Sequence, residues 1–335
     1  MQSGKRLRAV VLGAGSLGRA FLRRLRDDGG PVELVGIVTA HHGRRLAEDG
    51  LDPTLALNLA EAGELGDSGE EGLSDVLSAL RADVLVECIP QNIRSGEPAL
   101  SFHRAALDAG VHVVTANKAP IVLGYRDLRH RAAKSGASFR FGASVLDGMP
   151  LFEFAAQLRG QRITRVRGVL NATSSVVLET LGDGGTRARG LARAQARGIA
   201  EADPVLDLDG WDAAAKAALL ANVWMEGSLR VVDVVRSGLE SLKDSAVRRA
   251  AEEGHRYRLV TTLTSEAGQV EATVRPEPLE PTDVFYGLQG ARGGVEIQTD
   301  LGLGVCLVQR TAGLADAAGG LLADCRAIAA GAPQL

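Results

Sequence analysis

Asp212 and Lys216 stand four residues apart in WDAAAKAALLA. On a helix that spacing puts a carboxylate and an amine on one face. An amine held beside a carboxylate, next to a substrate carbonyl, can donate and recover a proton. The same spacing also suits an ordinary surface ion pair. Just upstream, EADPVLD carries Glu201 and Asp207, two carboxylates able to hold an ammonium group, with Asp203-Pro204 as a turn before a helix. In LNATSS, Asn171 and Thr173 fall where a strand hands over to a helix, a position suited to capping.

A second kind of chemistry is written near the N-terminus, where GAGSLG spans Gly13 to Gly18. The string follows an apolar run and opens a helical pattern, which is the context of a dinucleotide-binding turn. Gly13 permits the tight turn, Gly15 lets the backbone approach a pyrophosphate, and Gly18 lets helix and strand pack closely. The N–H groups at the helix start, around Ser16 and Leu17, then face the phosphates. Beyond the second strand the chain reads Val38-Thr39-Ala40-His41-His42-Gly43-Arg44-Arg45. A preference for NAD asks for a carboxylate there, to accept from the ribose 2′-OH. None is present, and Arg44 and Arg45 suit a 2′-phosphate. NADP or NAD is expected, with NADP favoured; the competing placement of both arginines is a solvated helix face. Lys118 follows Asn117 in a short loop after a buried strand, and ligands of open α/β sheets bind beyond such strand ends. Ile89-Pro90-Gln91-Asn92 closes a neighbouring strand.

The elements that must position these groups alternate in the first half. Strands are expected at Leu7–Leu12, Val32–Val38, Val84–Ile89, Val111–Thr115 and Ser138–Phe141. Helices are expected at Ser16–Arg26, Pro98–Ala109 and Ile121–Ser135, with short helices and loops between Gly50 and Gly72. That rhythm predicts an α/β, Rossmann-type doubly wound parallel sheet. After about residue 145 it changes. A helix at Pro150–Arg159, a strand at Ile163–Leu170 and a mostly helical stretch from Ser174 to Gly227 come first. Strand-like runs follow at Arg258–Leu263, Val270–Val274, Gly294–Thr299 and Val305–Gln309, and an Ala- and Leu-rich helix at Leu314–Ala330. An α+β substrate and dimerisation domain with a mixed sheet accounts for that half. The expected division is 1–141 with 310–335 for the dinucleotide domain and 142–309 for the other.

Composition narrows the classes. The chain has 335 residues, enough for roughly two domains. Its net charge of −3, from 38 basic and 41 acidic residues, argues against a nucleic-acid partner. With 45% hydrophobic and 24% charged residues it is an ordinary globular chain, not a disordered one. No apolar run reaches the length of a membrane span, and the apolar part of MQSGKRLRAVVLGAG is too short for a signal peptide. Cys88, Cys306 and Cys325 are odd in number and widely spaced, which fits reduced thiols in a cytoplasmic protein. His41 and His42 fit a surface turn rather than a metal site, His112 a structural role, and Trp211 and Trp224 core anchors.

Three further segments carry a family resemblance: VVTANKAP at Val113–Pro120, GVLNATSSVVLET at Gly168–Thr180, and GIAEADPVLDLDGWDAAAKAALLA at Gly198–Ala221. With GAGSLG before them and TAGLADAAGGLLAD after, they resemble homoserine dehydrogenase in its short form, over about residues 7–330. The resemblance implies reversible hydride transfer between a nicotinamide and L-aspartate 4-semialdehyde, giving L-homoserine. It places the chain in threonine and methionine biosynthesis and implies a homodimer built through the second domain's sheet. It assigns Lys216 as general acid/base, Asp212 as the group orienting it or the substrate, and Lys118 to the active site beside the nicotinamide. Glu201 and Asp207 hold the substrate ammonium and Thr173 contacts substrate. Gly13, Gly15, Ser16, Leu17, Gly18, Arg44, Pro90, Asn117, Lys118 and Gly313 are the implied cofactor-binding positions.

The chain departs from that family in three places. Gly142 stands where the family has a Glu that helps bind a monovalent cation; the carbonyls of Val145, Asp147 and Met149 remain as candidate ligands. The family's GxGAG turn reads Gln309-Arg310-Thr311-Ala312-Gly313, and Gln91 replaces a frequent threonine. These changes keep open a dehydrogenase for a related amino-acid semialdehyde in specialised metabolism. A third alternative is a catalytically silent NADP-binding sensor, against which the retained acids and lysines argue. The length falls short of forms with a C-terminal regulatory ACT domain, so no threonine feedback through such a domain is expected.

Overall fold

Leu7–Leu12 (β1) is buried at Ala9, Val10 and Val11 alike, so both of its faces lie inside the protein. Such a strand belongs at the centre of a sheet covered on two sides. The computed structural model describes residues 6–69, 71–158, 160–200 and 204–332. The chain forms two compact units, Met1–Glu153 with Leu314–Leu335, and Phe154–Gly313.

In the first unit β1 is followed by α1 (Ser16–Asp28), β2 (Val32–Val38), β3 (Arg44–Leu46), α2 (Pro53–Ala62) and α3 (Leu73–Ala79). Then come β4 (Val84–Glu87), α4 (Ala99–Asp108), β5 (His112–Thr115), α5 (Lys118–Ser135), β6 (Phe139–Arg140) and α6 (Leu151–Ala156). The sheet order is β3-β2-β1-β4-β5-β6, parallel except for β3, which runs antiparallel to β2. The strand order therefore reverses direction between β1 and β4. That is the topological switch point of a Rossmann-type sheet, where ligands gather. Two details differ from the sequence expectation. Arg44 and Arg45 lie on the added edge strand β3, not on a helix face. The helix expected at Ile121 begins at Lys118, because the Asn117 side chain accepts from the Ala119 amide and caps it.

The second unit runs β7 (Ile163–Val169), α7 (Ala172–Gly182), α8 (Arg187–Ala196), α9 (Val205–Leu208), α10 (Trp211–Trp224), β8 (Val235–Arg236) and α11 (Asp244–Glu252). Four strands close it: β9 (Arg256–Glu266), β10 (Gln269–Leu279), β11 (Gly294–Thr299) and β12 (Gly304–Val308). Its mixed sheet has the order β12-β11-β7-β9-β10-β8. The pairs are antiparallel except β10 with β8. Val166, Leu263, Ala272 and Ile297 are in register and buried on one face, while α7 and α10 pack against the strands. On the opposite face the register aligns Cys306, Glu296, Arg167, Thr262 and Thr273 in one row. Among the described residues no helix is long and apolar enough to cross a membrane.

The final helix, α12 (Leu314–Ala329), returns to the first unit. Its Leu321, Leu322 and Cys325 join Phe21, Leu22 and Leu25 of α1 in one apolar core. On the same helix Asp324 is 3% exposed; it accepts the Gly142 amide at 2.9 Å and lies 3.4 Å from Arg140 Nη1. Burial pushes its carboxyl up to about 7, against the pull of Arg140 and of the Gly142 amide. The folded chain thus keeps a proton that the unfolded chain gives up near 3.8. Folding takes up that proton between the two values, so this contribution to stability is full below about pH 4 and declines until about pH 7. The melting temperature of Asp324→Asn is expected to depend less steeply on pH between 5 and 7.5 than that of the wild type. Equal slopes in the two proteins would refute the assignment.

Candidate active site

β7 ends at Val169, and the chain passes through Leu170 and Asn171 into α7. Asn171 has two functions at that corner. Its Oδ1 accepts the Ser174 amide at 2.8 Å and caps α7, while its Nδ2 donates to Asp207 at 2.8 Å and to Asp212 at 3.2 Å. Thr173 donates its hydroxyl to the other Asp207 oxygen at 2.7 Å. Lys216 Nζ donates to Asp212 Oδ2 and to the Leu170 carbonyl, both at 2.7 Å. The structure thus brings Thr173, Asp207, Asp212 and Lys216 into one polar cluster, linked by Asn171.

Helix α10 makes this possible, because it is lined by alanines. Ala213, Ala214, Ala215, Ala217 and Ala218 are fully buried, so the helix sits close to its neighbours and only Asp212 and Lys216 project polar groups from this stretch. Lys216 and Asp212 keep 16% and 18% of their side-chain surface exposed, which separates them from an ordinary surface pair. Burial raises the Asp207 carboxyl above its usual range and the nearby Asp212 charge adds to that; Thr173, Asn171 and Lys216 oppose both. The Leu170 carbonyl and the Asn171 amide were not singled out for the cluster from sequence. Asn171 reads as a cap, which it is, and the second use of its side chain depends on α9 and α10. Glu201 lies outside the described residues.

In the first unit the glycine turn has the form its spacing predicts. Gly13 has φ +101°, and a Cβ on it would meet the Cys88 carbonyl at 2.8 Å. A Cβ on Gly18 would fall 2.1 Å from the Gly13 carbonyl oxygen, whereas one on Gly15 would meet nothing within 4 Å. Gly15 is the N-cap of α1, with no side chain bonding the first turn, and Gly15 and Ser16 are exposed. The turn therefore packs tightly behind and is open in front, as a pyrophosphate requires. Leu17, beside them, is half-buried.

The neighbouring loops are tied together by a residue that sequence reasoning missed. Glu87 ends β4 with no exposed surface; its Oε1 accepts the Ile89 amide and its Oε2 the Thr115 hydroxyl, both at 2.7 Å. His103 Nε2 lies 3.2 Å from the same Oε2, and Thr115 Oγ1 accepts the Asn117 amide at 2.9 Å. One carboxylate thus fixes the loop carrying exposed Pro90 and the corner carrying Asn117 and Lys118. An acid at the end of an otherwise apolar strand was the available signal. Arg44, 15% exposed, pairs with the exposed Glu71, while Arg45 faces solvent. Gly313 has a φ of +151°, which residues other than glycine rarely adopt, with open space at its Cβ position.

The candidate cation ligands fare differently. The Met149 carbonyl accepts the Leu151 amide at 2.6 Å, and Gly142 brings no side chain; its amide is bound by Asp324. Among the described residues no cluster of metal-ligating side chains occurs. Gly142 thus supplies no carboxylate to the candidate carbonyls, and no chemical step is assigned to a cation.

Comparison with known proteins places these features in a family. Residues 13–142 match the model described as homoserine dehydrogenase, NAD binding domain, and residues 150–325 the one described as homoserine dehydrogenase. The chain is 32% identical to a homoserine dehydrogenase of Methanocaldococcus jannaschii, over 94% of this chain and 96% of that one. It is also 32% identical to an NAD(+)-dependent homoserine dehydrogenase of Pseudomonas canavaninivorans, covering 94% of each. The crystal structure of the homoserine dehydrogenase from Thermoplasma acidophilum superposes with a TM-score of 0.82 at 26% identity, over 96% of this chain and 98% of the other.

The contact behind the glycine turn yields a direct test. Gly18→Ala is expected to weaken dinucleotide binding by more than about tenfold, since its methyl must displace the Gly13 carbonyl and with it the turn. Quenching of intrinsic fluorescence on cofactor titration measures this. Unchanged affinity would show that the turn does not carry the ligand.

Proposed function

The chain belongs to the homoserine dehydrogenase family, and from that premise we propose that it interconverts L-homoserine and L-aspartate 4-semialdehyde, with NADP or NAD as cofactor. The dinucleotide, when bound, supplies or accepts the hydride at its nicotinamide ring. The protein's own task is to hold the amino acid, orient its carbon chain and manage one proton.

The observation that carries this reading is the Lys216 amine held by both the Asp212 carboxylate and the Leu170 carbonyl. Both partners accept hydrogen bonds from the amine and so fix where it points. In the direction of reduction, the protonated amine gives its proton to the oxygen of the former aldehyde. In oxidation, the amine recovers the proton from the substrate hydroxyl. Asp207 is held by two uncharged donors, Thr173 and Asn171, which orient its oxygens without neutralising it. It is assigned to the substrate ammonium together with Glu201, while Thr173 contacts substrate. Asn117 and Lys118, fixed through Thr115 and Glu87, are assigned to the cofactor and the reacting oxygen. Gly13, Gly15, Ser16, Leu17, Gly18, Pro90 and Gly313 complete the proposed cofactor contacts. NADP is favoured through Arg44 and Arg45: Arg45 is exposed, and the Glu71 carboxylate that Arg44 holds is itself 60% exposed, so a 2′-phosphate can compete for the guanidinium. A cytoplasmic setting belongs to the same proposal and is checked by cell fractionation.

A panel of amino-alcohol substrates with both cofactors, run on the wild type and on Lys216→Ala, tests the chemistry. Homoserine oxidation is expected, faster with NADP, and kcat should fall at least about 100-fold in the variant with cofactor affinity nearly unchanged. Turnover only of a different amino alcohol would move the substrate assignment. Tight cofactor binding without any turnover would indicate a silent sensor, and a strong preference for NAD would overturn the role of the arginines.

We also propose a homodimer formed by the second sheet. The row from Cys306 to Thr273 is polar and mostly half-buried, and the Arg167 guanidinium is already matched by Asp283 at 2.9 Å and Glu296 at 3.6 Å. A face with its charges paired suits a second copy of itself. Light scattering is expected to give twice the chain mass, and Thr262→Glu to shift it towards the monomer; a monomeric wild type would refute the dimer.

A further inference from the structure

Two adjoining cavities of the second unit hold positive charge that the chemistry above does not use. One, of about 340 Å³, is lined by Arg193, Arg197, Arg292 and Arg310, with Glu179 as the single carboxylate among its described lining residues. Glu179 is largely committed: one oxygen accepts the Gly290 amide at 3.1 Å and the other lies 3.4 Å from Arg193. Among the described residues, Arg197, Arg292 and Arg310 pair with no carboxylate. The other cavity, of about 380 Å³, shares Glu179 and Gln289 with the first and adds Asp183 and Arg258.

Arg258 is the independent observation. It is 2% exposed, yet its guanidinium hydrogen-bonds only the carbonyls of Tyr257 and Leu288, and its Nε has no hydrogen-bond partner. Burying a guanidinium without a bonded anion is unfavourable, and the neighbouring Arg256 adds repulsion; the charges of Glu179 and Asp183 only partly offset the two. Both penalties are relieved by an oxyanion, whose oxygens match the planar guanidinium fork.

We propose that this double cavity binds a small multivalent oxyanion, a phosphate-bearing or polycarboxylate metabolite, at a site of its own within the second unit. The site does not depend on the substrate assigned above. Its wall residue Glu179 shares α7 with Thr173, so the ligand rests on the helix that also supports the substrate cluster.

Calorimetric titration of the full chain, saturated with NADP to occupy the glycine turn, tests this with inorganic pyrophosphate and with citrate at constant ionic strength. Saturable binding of either is expected below about 1 mM. It should weaken by about tenfold or more in Arg197→Ala/Arg292→Ala, which alters only exposed side chains, while cofactor KM stays unchanged. Binding of pyrophosphate alone assigns a phosphate-bearing ligand, and of citrate alone a polycarboxylate. No saturable binding of either, or undiminished binding in the double variant, would overturn the proposal.

Discussion

An ammonium group held between a carboxylate and a main-chain carbonyl is the interaction on which the second unit turns. Lys216 can be kept in that position only if α10 lies close to the corner where β7 becomes α7. The alanines of α10 allow that approach, and the strand register sets where Leu170 emerges. The cluster then closes on itself. Asn171 caps one helix and reaches two acids from others, so the electrostatics of Asp207, Asp212 and Lys216 depend on how three helices are packed. A buried polar network of this kind is favourable when its members are satisfied and expensive when one is lost.

The first unit obeys a steric constraint instead. Two glycines leave no room behind the turn, and the space in front of it is open. Glu87 adds the corresponding polar constraint on the adjacent loops. It accepts from Ile89 and Thr115 where water cannot reach, so the corners after β4 and β5 keep a fixed relation. Backbone contacts bind without ambiguity only when the loops that present them are rigid.

Much of this could be read from the chain beforehand, for reasons that differ by element. β1 and β2 declare themselves by mostly apolar runs and β11 by its alternation, and the observed bounds match. The pairing of Asp212 with Lys216 follows from helical geometry alone. β3 was not legible, since three residues rich in arginine become a strand only by pairing with β2. Helix α11 was missed as well: charged on most faces, it is held by Val247 and Ala250 against α7 and β9. The extra bonds of Asn171 and the tie of Glu87 to Thr115 join residues distant in sequence, and no local pattern records those partners.

The discontinuity of the first unit bears on the order in which the protein is made. Gly148 packs so closely on Gly320 that a Cβ there would lie 2.5 Å from its Cα, and Asp324 supplies the acceptor for Gly142. Both partners are on α12, which leaves the ribosome only after residues 154–313. The N-terminal half therefore waits, with its core incomplete, while residues 154–313 emerge as one uninterrupted stretch and can fold first. Domains ordinarily mature in the order of synthesis; here the inserted unit has its whole sequence available before the unit whose sequence it interrupts.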